Sequence, residues 1–268
     1  MNFKCWLLLL LFASAAFGAD EFMRQVSHLI AEGKREQALE MLNQAIEKDT
    51  NNVNLYFGRG RLHSTMDHPE AAIKDFDQAL SLTNFARIHH ERGVAEFKLG
   101  RFREAIADFD RLLKMLPQQE PEYWQRGIAY YYAGEYERGR KQFELHQTVN
   151  PYDVENAVWH YLCVARLEGV EKARAALIPI ATERDPRVPM KEIFALYAGK
   201  TKPEDVLAAT KARSELFYAH LYVGLYYETQ KELAKAREHI DKAANEFYMN
   251  NFMGDVARIQ AKLLNKAQ

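Results

Sequence analysis

Two stretches of this chain carry one pattern at an offset of 34 residues. The first runs Arg92-Gly93-Val94-Ala95, then Gly100-Arg101-Phe102, Ala105, Phe109 and Pro117. The second runs Arg126-Gly127-Ile128-Ala129, then Gly134-Glu135-Tyr136, Gly139, Phe143 and Pro151. Small, aromatic and helix-breaking residues recurring in one register are the mark of a stacked repeat, in which no unit buries its apolar face alone. Each copy reads as two helices. Small residues (Gly93 and Ala105, Gly127 and Gly139) stand where the helices of a hairpin touch, and aromatics at helical spacing (Phe102 and Phe109, Tyr136 and Phe143) fill the space beside them. Gly100 and Gly134 are placed to end the first helix in a left-handed turn, and Pro117 and Pro151 to stop the second.

The length and pattern of these copies resemble the tetratricopeptide repeat. Weaker copies flank them. Glu21 to Asn52 fits a first repeat, with its turn at Gly33 and packing positions at Ala38, Leu42 and Ala45. Val53 to Ala86 fits a second, with Tyr56, Gly60, Ala72, Phe76, Ala79 and Leu82 in register and Pro69 opening its second helix. Beyond Asp153 the apolar periodicity continues without the small and aromatic register. Asp185-Pro186-Arg187-Val188-Pro189 interrupts it, and two short helical segments follow, Met190 to Tyr197 and Glu204 to Lys211. Phe217 to Met249 recovers the repeat, and Asn251 to Leu264 reads as a helix capping the last one, with Phe252, Val256, Ile259, Leu263 and Leu264 on its apolar side. The expected fold is all-α, a tetratricopeptide-repeat superhelix of about five to six helix pairs. Four repeats span residues 19–153, and irregular repeats, a final repeat and a capping helix span 154–268.

The start of the chain is of a different kind. Lys4, an apolar run from Trp6 to Phe12 and the small-x-small triplet Ala16-Phe17-Gly18 read as a secretory leader over residues 1–18, too short in its apolar part to span a bilayer. The mature chain then starts at Ala19 or Asp20 and is expected in the periplasm or secreted, with no stable membrane anchor after cleavage. Of the two cysteines, Cys5 lies in the leader and Cys163 sits among Tyr161, Leu162 and Val164, as a buried structural thiol would. The net charge of −1 leaves no basic excess for nucleic acid or anionic lipid, and none is expected as a partner.

Three repeats carry arginine before the glycine: Arg59-Gly60, Arg92-Gly93 and Arg126-Gly127. Two carry Asp-Phe-Asp on the second helix. The expected seam pairs Arg59 with Asp75 and Arg92 with Asp108, an arginine fork on a carboxylate across each hairpin. Gln142 takes the aspartate's place in the fourth repeat, so Arg126 is expected to find a partner elsewhere; the alternative is that these arginines line a ligand groove. First helices of stacked hairpins line a concave wall. The offsets that face it hold Phe57 and Arg61, then His90, Val94, Phe97 and Lys98, then Trp124, Ile128, Tyr131 and Tyr132. Aromatics flanked by a few cations suit protein binding. The opposing expectation is that later helices fold back and bury this stripe.

No catalytic or cofactor constellation is evident. His89 and His90, two of nine histidines, are neighbours on a helix and do not form the i, i+4 pair a metal site uses. Zinc-type cysteine spacing is missing, and Gly199-Lys200-Thr201 lacks the upstream glycine of a phosphate loop. The expectation is therefore a non-enzyme without metal or cofactor. It is read as an exported adaptor that binds another envelope protein, or a peptide segment of one, through the aromatic groove. Two alternatives stay open: a self-associating scaffold whose stripe is buried in a homodimer, and an accessory protein that stacks a small hydrophobic or glycan ligand.

Three later segments narrow the resemblance. Trp159-His160-Tyr161-Leu162, Ile193-Phe194-Ala195-Leu196-Tyr197-Ala198-Gly199-Lys200, and Tyr222-Val223-Gly224-Leu225-Tyr226-Tyr227 followed by Asn250-Asn251-Phe252 are similar to the NlpI family of bacterial lipoproteins. The resemblance covers the chain from about Asn54 onward. It implies a non-catalytic envelope adaptor, dimeric in the family's founding member, that brings a periplasmic protease to cell-wall hydrolases. This chain departs from the family in having no lipidation cysteine at the cleavage site.

Overall fold

The computed structural model describes residues 21–266, all of them helix, turn or irregular chain without a strand. The expected leader and Cys5 lie outside the described residues. The chain divides into two compact units, 1–95 and 96–268, the division falling inside one helix. No helix among the described residues is long and apolar enough to cross a membrane.

Unit 1 holds α1 (21–31), α2 (Arg35–Lys48), α3 (Val53–Thr65), α4 (Pro69–Leu82) and most of α5 (Ala86–Lys98). Val26, Ala38, Leu42, Leu62, Ala72, Phe76 and Ala79 form its core. Asn52 opens α3 by accepting a hydrogen bond from the backbone N–H of Asn54 (3.1 Å), and Pro69 sits in the first turn of α4, where its missing N–H costs nothing.

Unit 2 continues with α6 (Phe102–Met115), α7 (Trp124–Tyr132), α8 (Tyr136–His146) and α9 (Val154–Glu168). The pattern is tight here: α7 packs on α8, and α8 on α9. Gly100 and Gly134 turn with φ of 76° and 78°, in the left-handed region. After α9 the elements shorten to α10 (Val170–Ala175), α11 (Met190–Tyr197) and α12 (Pro203–Ala208), with irregular chain from 176 to 181 where helix continued in the sequence pattern. Regular pairing returns in α13 (Arg213–Thr229) and α14 (Leu233–Asp241), and α15 (Phe252–Lys266) ends the described chain. Trp159, Tyr161, Tyr197, Phe217 and Tyr222 are fully buried, which gives the irregular segment its own aromatic core. Cys163 is buried against Gly139, and burial pushes its thiol up, away from reactivity at neutral pH.

One contact recurs in both units. A Cβ on Gly60 would lie 2.6 Å from the Phe76 ring, one on Gly127 2.7 Å from the Phe143 ring, and one on Gly224 2.6 Å from Ile240. In each hairpin the second helix lays a large side chain in the space that glycine leaves open. Substituting Gly127 by Ala gains roughly 0.5–1 kcal/mol of helix propensity. It also drives a methyl into a ring that has no free space, an overpacking cost of about 1–3 kcal/mol. Chemical denaturation of the Gly127→Ala variant should therefore show a net loss of stability; an unchanged midpoint would mean that the Phe143 ring moves aside freely.

Candidate functional site

The arginine seam comes first, because it fixes the first helices of the repeats. Arg59 donates to both carboxylate oxygens of Asp75, through Nε at 2.9 Å and Nη2 at 2.7 Å, and its Nη1 donates to Asn43 (2.8 Å). Asp75 is 4 % exposed, so the fork satisfies a buried charge. The expected Arg92–Asp108 pair involves residues of different units, and each has a partner in its own: Arg92 donates to Asp77 (2.6 Å), and Asp108 accepts from Arg111 (2.9 Å). Arg126 finds carboxylate partners elsewhere, as expected, and keeps Gln142 as well. Its Nε and Nη2 both donate to Gln142 Oε1 (2.9 and 2.6 Å), and the charge is met by Asp110 (2.9 Å) and Glu120 (2.6 Å). A side-chain amide keeps the geometry of the seam, and two neighbouring carboxylates supply the countercharge.

The groove-wall residues separate by unit. In unit 1, Phe57 is half-buried beneath the guanidinium groups of Arg61 and Arg87 (5.9 and 5.5 Å to its centroid). Arg61 is exposed and pairs with Glu91 (3.3 Å). Val94 and His90 are half-buried, and burial lowers the pKa of His90. His89 meets Asn84 (2.8 Å).

In unit 2 the wall is largely closed. Phe97 and Ile128 are fully buried and Tyr131 nearly so. These three, expected on an open groove, are core residues, and α15 is what covers part of them. Phe252 stacks on Phe97 (4.5 Å, 22°) and meets Trp124 edge to face (5.4 Å, 90°). Lys98 pairs with Asp255 (3.4 Å). Tyr132 donates to Gln260 Oε1 (3.0 Å), and Gln260 Nε2 donates to Glu228 (2.8 Å). Glu228 also accepts from Arg166 (2.7 Å), whose Nε donates to the Tyr131 hydroxyl (3.1 Å). The last helix is therefore more than a cap on the final repeat. It packs on α14, leaves Leu263 exposed, and lays Phe252, Asp255 and Gln260 along the aromatic wall. The chain enters it sharply: a Cβ on Gly254 would stand 1.7 Å from the Met249 carbonyl oxygen, so only glycine permits this approach.

What remains open is a cavity of ≈ 310 Å³ inside unit 2. One side is apolar, with Trp124, Ile128, Phe143, Trp159, Phe252 and Met253; the other carries Asp153, Glu155, Asn156, Arg187 and Asn251, with Tyr218 between them. Asp153 caps α9 by accepting from the Glu155 N–H (3.1 Å). Arg187 reaches in from the proline-rich interruption. It donates to Asp185 through Nε (2.8 Å) and Nη2 (2.7 Å), to Glu155 through Nη1 (2.5 Å) and to Asp153 through Nη2 (2.6 Å). Tyr222 donates to the other oxygen of Glu155 (2.5 Å). Burial raises the Glu155 pKa, and Arg187 opposes that rise. No sequence pattern marks these residues as a site: Asp153 stands there as a boundary, Trp159 in a segment that carries the family resemblance, and Arg187 in a helix break.

The repeats also match known proteins. Two tetratricopeptide-repeat family models match, one over residues 23–87 and the other over residues 86–119. Residues 23–119 carry tetratricopeptide repeats. A solved tetratricopeptide repeat protein from Parabacteroides merdae is similar over 92% of this chain and 98% of its own, with 20% identity and a TM-score of 0.63. MamA from Desulfovibrio magneticus RS-1 matches over 59% of this chain and 89% of its own (17% identity, TM-score 0.54). PilW, described as a widely conserved type IV pilus biogenesis factor, matches over 88% and 97% (14% identity, TM-score 0.53). At these identities the likeness is one of fold, an all-helical superhelix of tetratricopeptide type.

Two measurements check this geometry. Phe252→Ala should cost about 2 kcal/mol, less than the roughly 3–5 kcal/mol of a fully buried phenylalanine. It should also speed amide exchange across residues 252–266 by about tenfold or more. Unchanged exchange there would mean that the stack does not hold α15. The second measurement concerns His146, which lies between the Pro121 carbonyl (2.9 Å from Nδ1) and Asp153 (3.8 Å from Nε2). Burial alone would lower its pKa, but Asp153 and the carbonyl favour the cation, and the net shift is upward. Its contribution to stability is complete below the ordinary histidine range and is lost as pH rises through the folded value. The stability gap between wild type and His146→Gln should thus narrow from about pH 6 to about pH 8. A gap that is constant or widens would contradict a favoured cation.

Proposed function

We propose that this chain is a non-catalytic, exported interaction scaffold that grips a segment of another envelope protein at the cavity of unit 2. The observation that carries the reading is the cavity itself: a concave site with aromatic walls on one side, oriented polar groups on the other, and a solvent-facing mouth at Asn251 and Arg187. Its volume is at the lower end of the roughly 300–1,000 Å³ usual for ligand sites, which suits one side chain and its flanking backbone. Within unit 2, Phe252 of α15 covers the wall at Phe97 and meets Trp124, so the partner segment is read as entering the cavity beside them rather than lying along that wall.

Export rests on the leader pattern of residues 1–18, and the site of action is then the periplasm or the extracellular space. The likeness of the later segments to NlpI-type lipoproteins supports a periplasmic protease or a cell-wall hydrolase as the partner, with the chain as the piece that brings the two together.

Trp124 is the residue to test, since it is half-buried in the cavity wall. Mature chain 19–268 and its Trp124→Ala variant are immobilised side by side and challenged with envelope proteins. The expected result is a defined set of proteases or hydrolases bound by the first and reduced about tenfold or more on the second, with helical circular dichroism unchanged. Equal capture by both would remove Trp124 from the contact. Recovery of the chain alone, with a mass twice that of one copy in light scattering, would turn the reading to a self-associating scaffold.

A further inference from the structure

The functional reading leaves open what kind of side chain the cavity accepts, and the inference that follows rests on that reading. We infer that the cavity of unit 2 takes a cationic aliphatic side chain, lysine or arginine, from the segment it grips.

Charge is the first ground. Three carboxylates, Asp153, Glu155 and Asp185, surround the single guanidinium of Arg187, and every nitrogen of that guanidinium is already engaged by them. Arg187 therefore has little left with which to hold an incoming anion, and its carboxylate partners outnumber it, an excess that the burial-raised pKa of Glu155 reduces. His146, against Asp153, offsets one of these charges when it is protonated. A carboxylate entering the cavity would meet repulsion; an ammonium or guanidinium would not.

The walls are the second ground. Trp124, Trp159, Tyr218 and Phe252 present aromatic surface to the space. An aromatic face, tryptophan's above all, attracts a cation, and the attraction grows as water is excluded. The aliphatic stem of a lysine or arginine suits the same walls. The protein already uses this contact elsewhere, with Arg258 at 3.6 Å over the Tyr248 ring.

The third ground is a pair of buried polar atoms. Asn156 and Trp159 are each 2 % exposed, and both line the cavity. The Asn156 amide nitrogen donates to the Phe143 carbonyl (3.1 Å) and to Gln147 Oε1 (3.1 Å), which fixes the orientation of the group. Its Oδ1 has no hydrogen-bond partner among the described residues, and neither has Trp159 Nε1. A buried polar group without a partner costs about 1–3 kcal/mol. Both atoms are themselves buried beside the cavity, so an incoming N–H donor meets Asn156, and a backbone carbonyl of the same segment meets Trp159, once these side chains turn toward the ligand. A basic residue within a peptide supplies both; a hydrocarbon side chain supplies only the carbonyl.

The test uses acetylated and amidated nine-residue peptides in an alanine and serine background, with lysine, arginine, norleucine or glutamate at the centre. Binding to the mature chain is measured by titration calorimetry. The lysine and arginine peptides should bind about tenfold tighter than the norleucine peptide, the size of a desolvated cation–π contact joined to a charge-assisted hydrogen bond. That preference should shrink as salt is raised. The glutamate peptide should bind weakest. Asn251 stands exposed at the mouth and accepts from the Gly254 N–H (2.9 Å), a capping role that aspartate performs as well. Asn251→Asp should tighten the lysine peptide by about threefold and leave norleucine unchanged. Equal binding of lysine and norleucine, or a preference for glutamate, overturns the inference while the peptide-binding scaffold stands. If no peptide of any kind binds, both fall together.

Discussion

The fold depends on one contact, a large side chain pressed onto a glycine sixteen positions earlier. Gly60 with Phe76, Gly127 with Phe143 and Gly224 with Ile240 repeat it. Glycine carries a cost of roughly 1 kcal/mol inside a helix, so its recurrence needs a compensating gain. The gain is closeness: two helix backbones approach until a buried ring fills the gap, and a fully buried aromatic contributes several kcal/mol. Because the contact is local in sequence, each hairpin assembles from its own residues, and stacking then buries the remaining faces.

The same sixteen-residue spacing organises the charges. An arginine one position before the glycine reaches the residue one position before the aromatic: Arg59 to Asp75, and Arg126 to Gln142. In the second of these the partner is neutral, yet the geometry persists because the guanidinium finds Asp110 and Glu120 within reach. The shape of the seam is set by the backbone contact, and the charge balance is arranged around it. A buried arginine needs donors satisfied and charge matched, and the two needs can be met by different residues.

This spacing explains what could be read in advance. Helix pairs, turn positions and the buried thiol are all consequences of patterns within about 34 residues, and such patterns survive in a linear sequence. The groove wall was legible as a set of positions, since Phe57, Phe97, Trp124 and Tyr132 fall at repeat offsets. Whether those positions are open is a different matter. Phe252 lies 155 residues beyond Phe97, and Tyr132 and Gln260 are 128 apart, and no periodicity links them. Nor did Arg187 announce itself. Its role follows from where the break after α10 returns the chain to the start of α9, and that path is set by the packing of α9, α11 and α13.

The covering of the wall by α15 is specific rather than merely apolar, and this bears on what the cavity can recognise. An apolar helix face alone could slide along an aromatic surface at little cost. Asp255 opposite Lys98 and Gln260 opposite Tyr132 oppose such a slide, because a shift of one turn breaks both contacts. Gly254 sets the angle at which the helix begins, so Phe252 arrives at one place on the wall. Beside it, Trp124 and Trp159 line the cavity next to the acidic cluster at the start of α9. In unit 2 the aromatic stripe thereby gives way to a bounded cavity whose apolar, donor, acceptor and charged groups stand at fixed positions. Selectivity requires groups that a wrong ligand would leave unsatisfied, and an open stripe of tyrosine and phenylalanine supplies none.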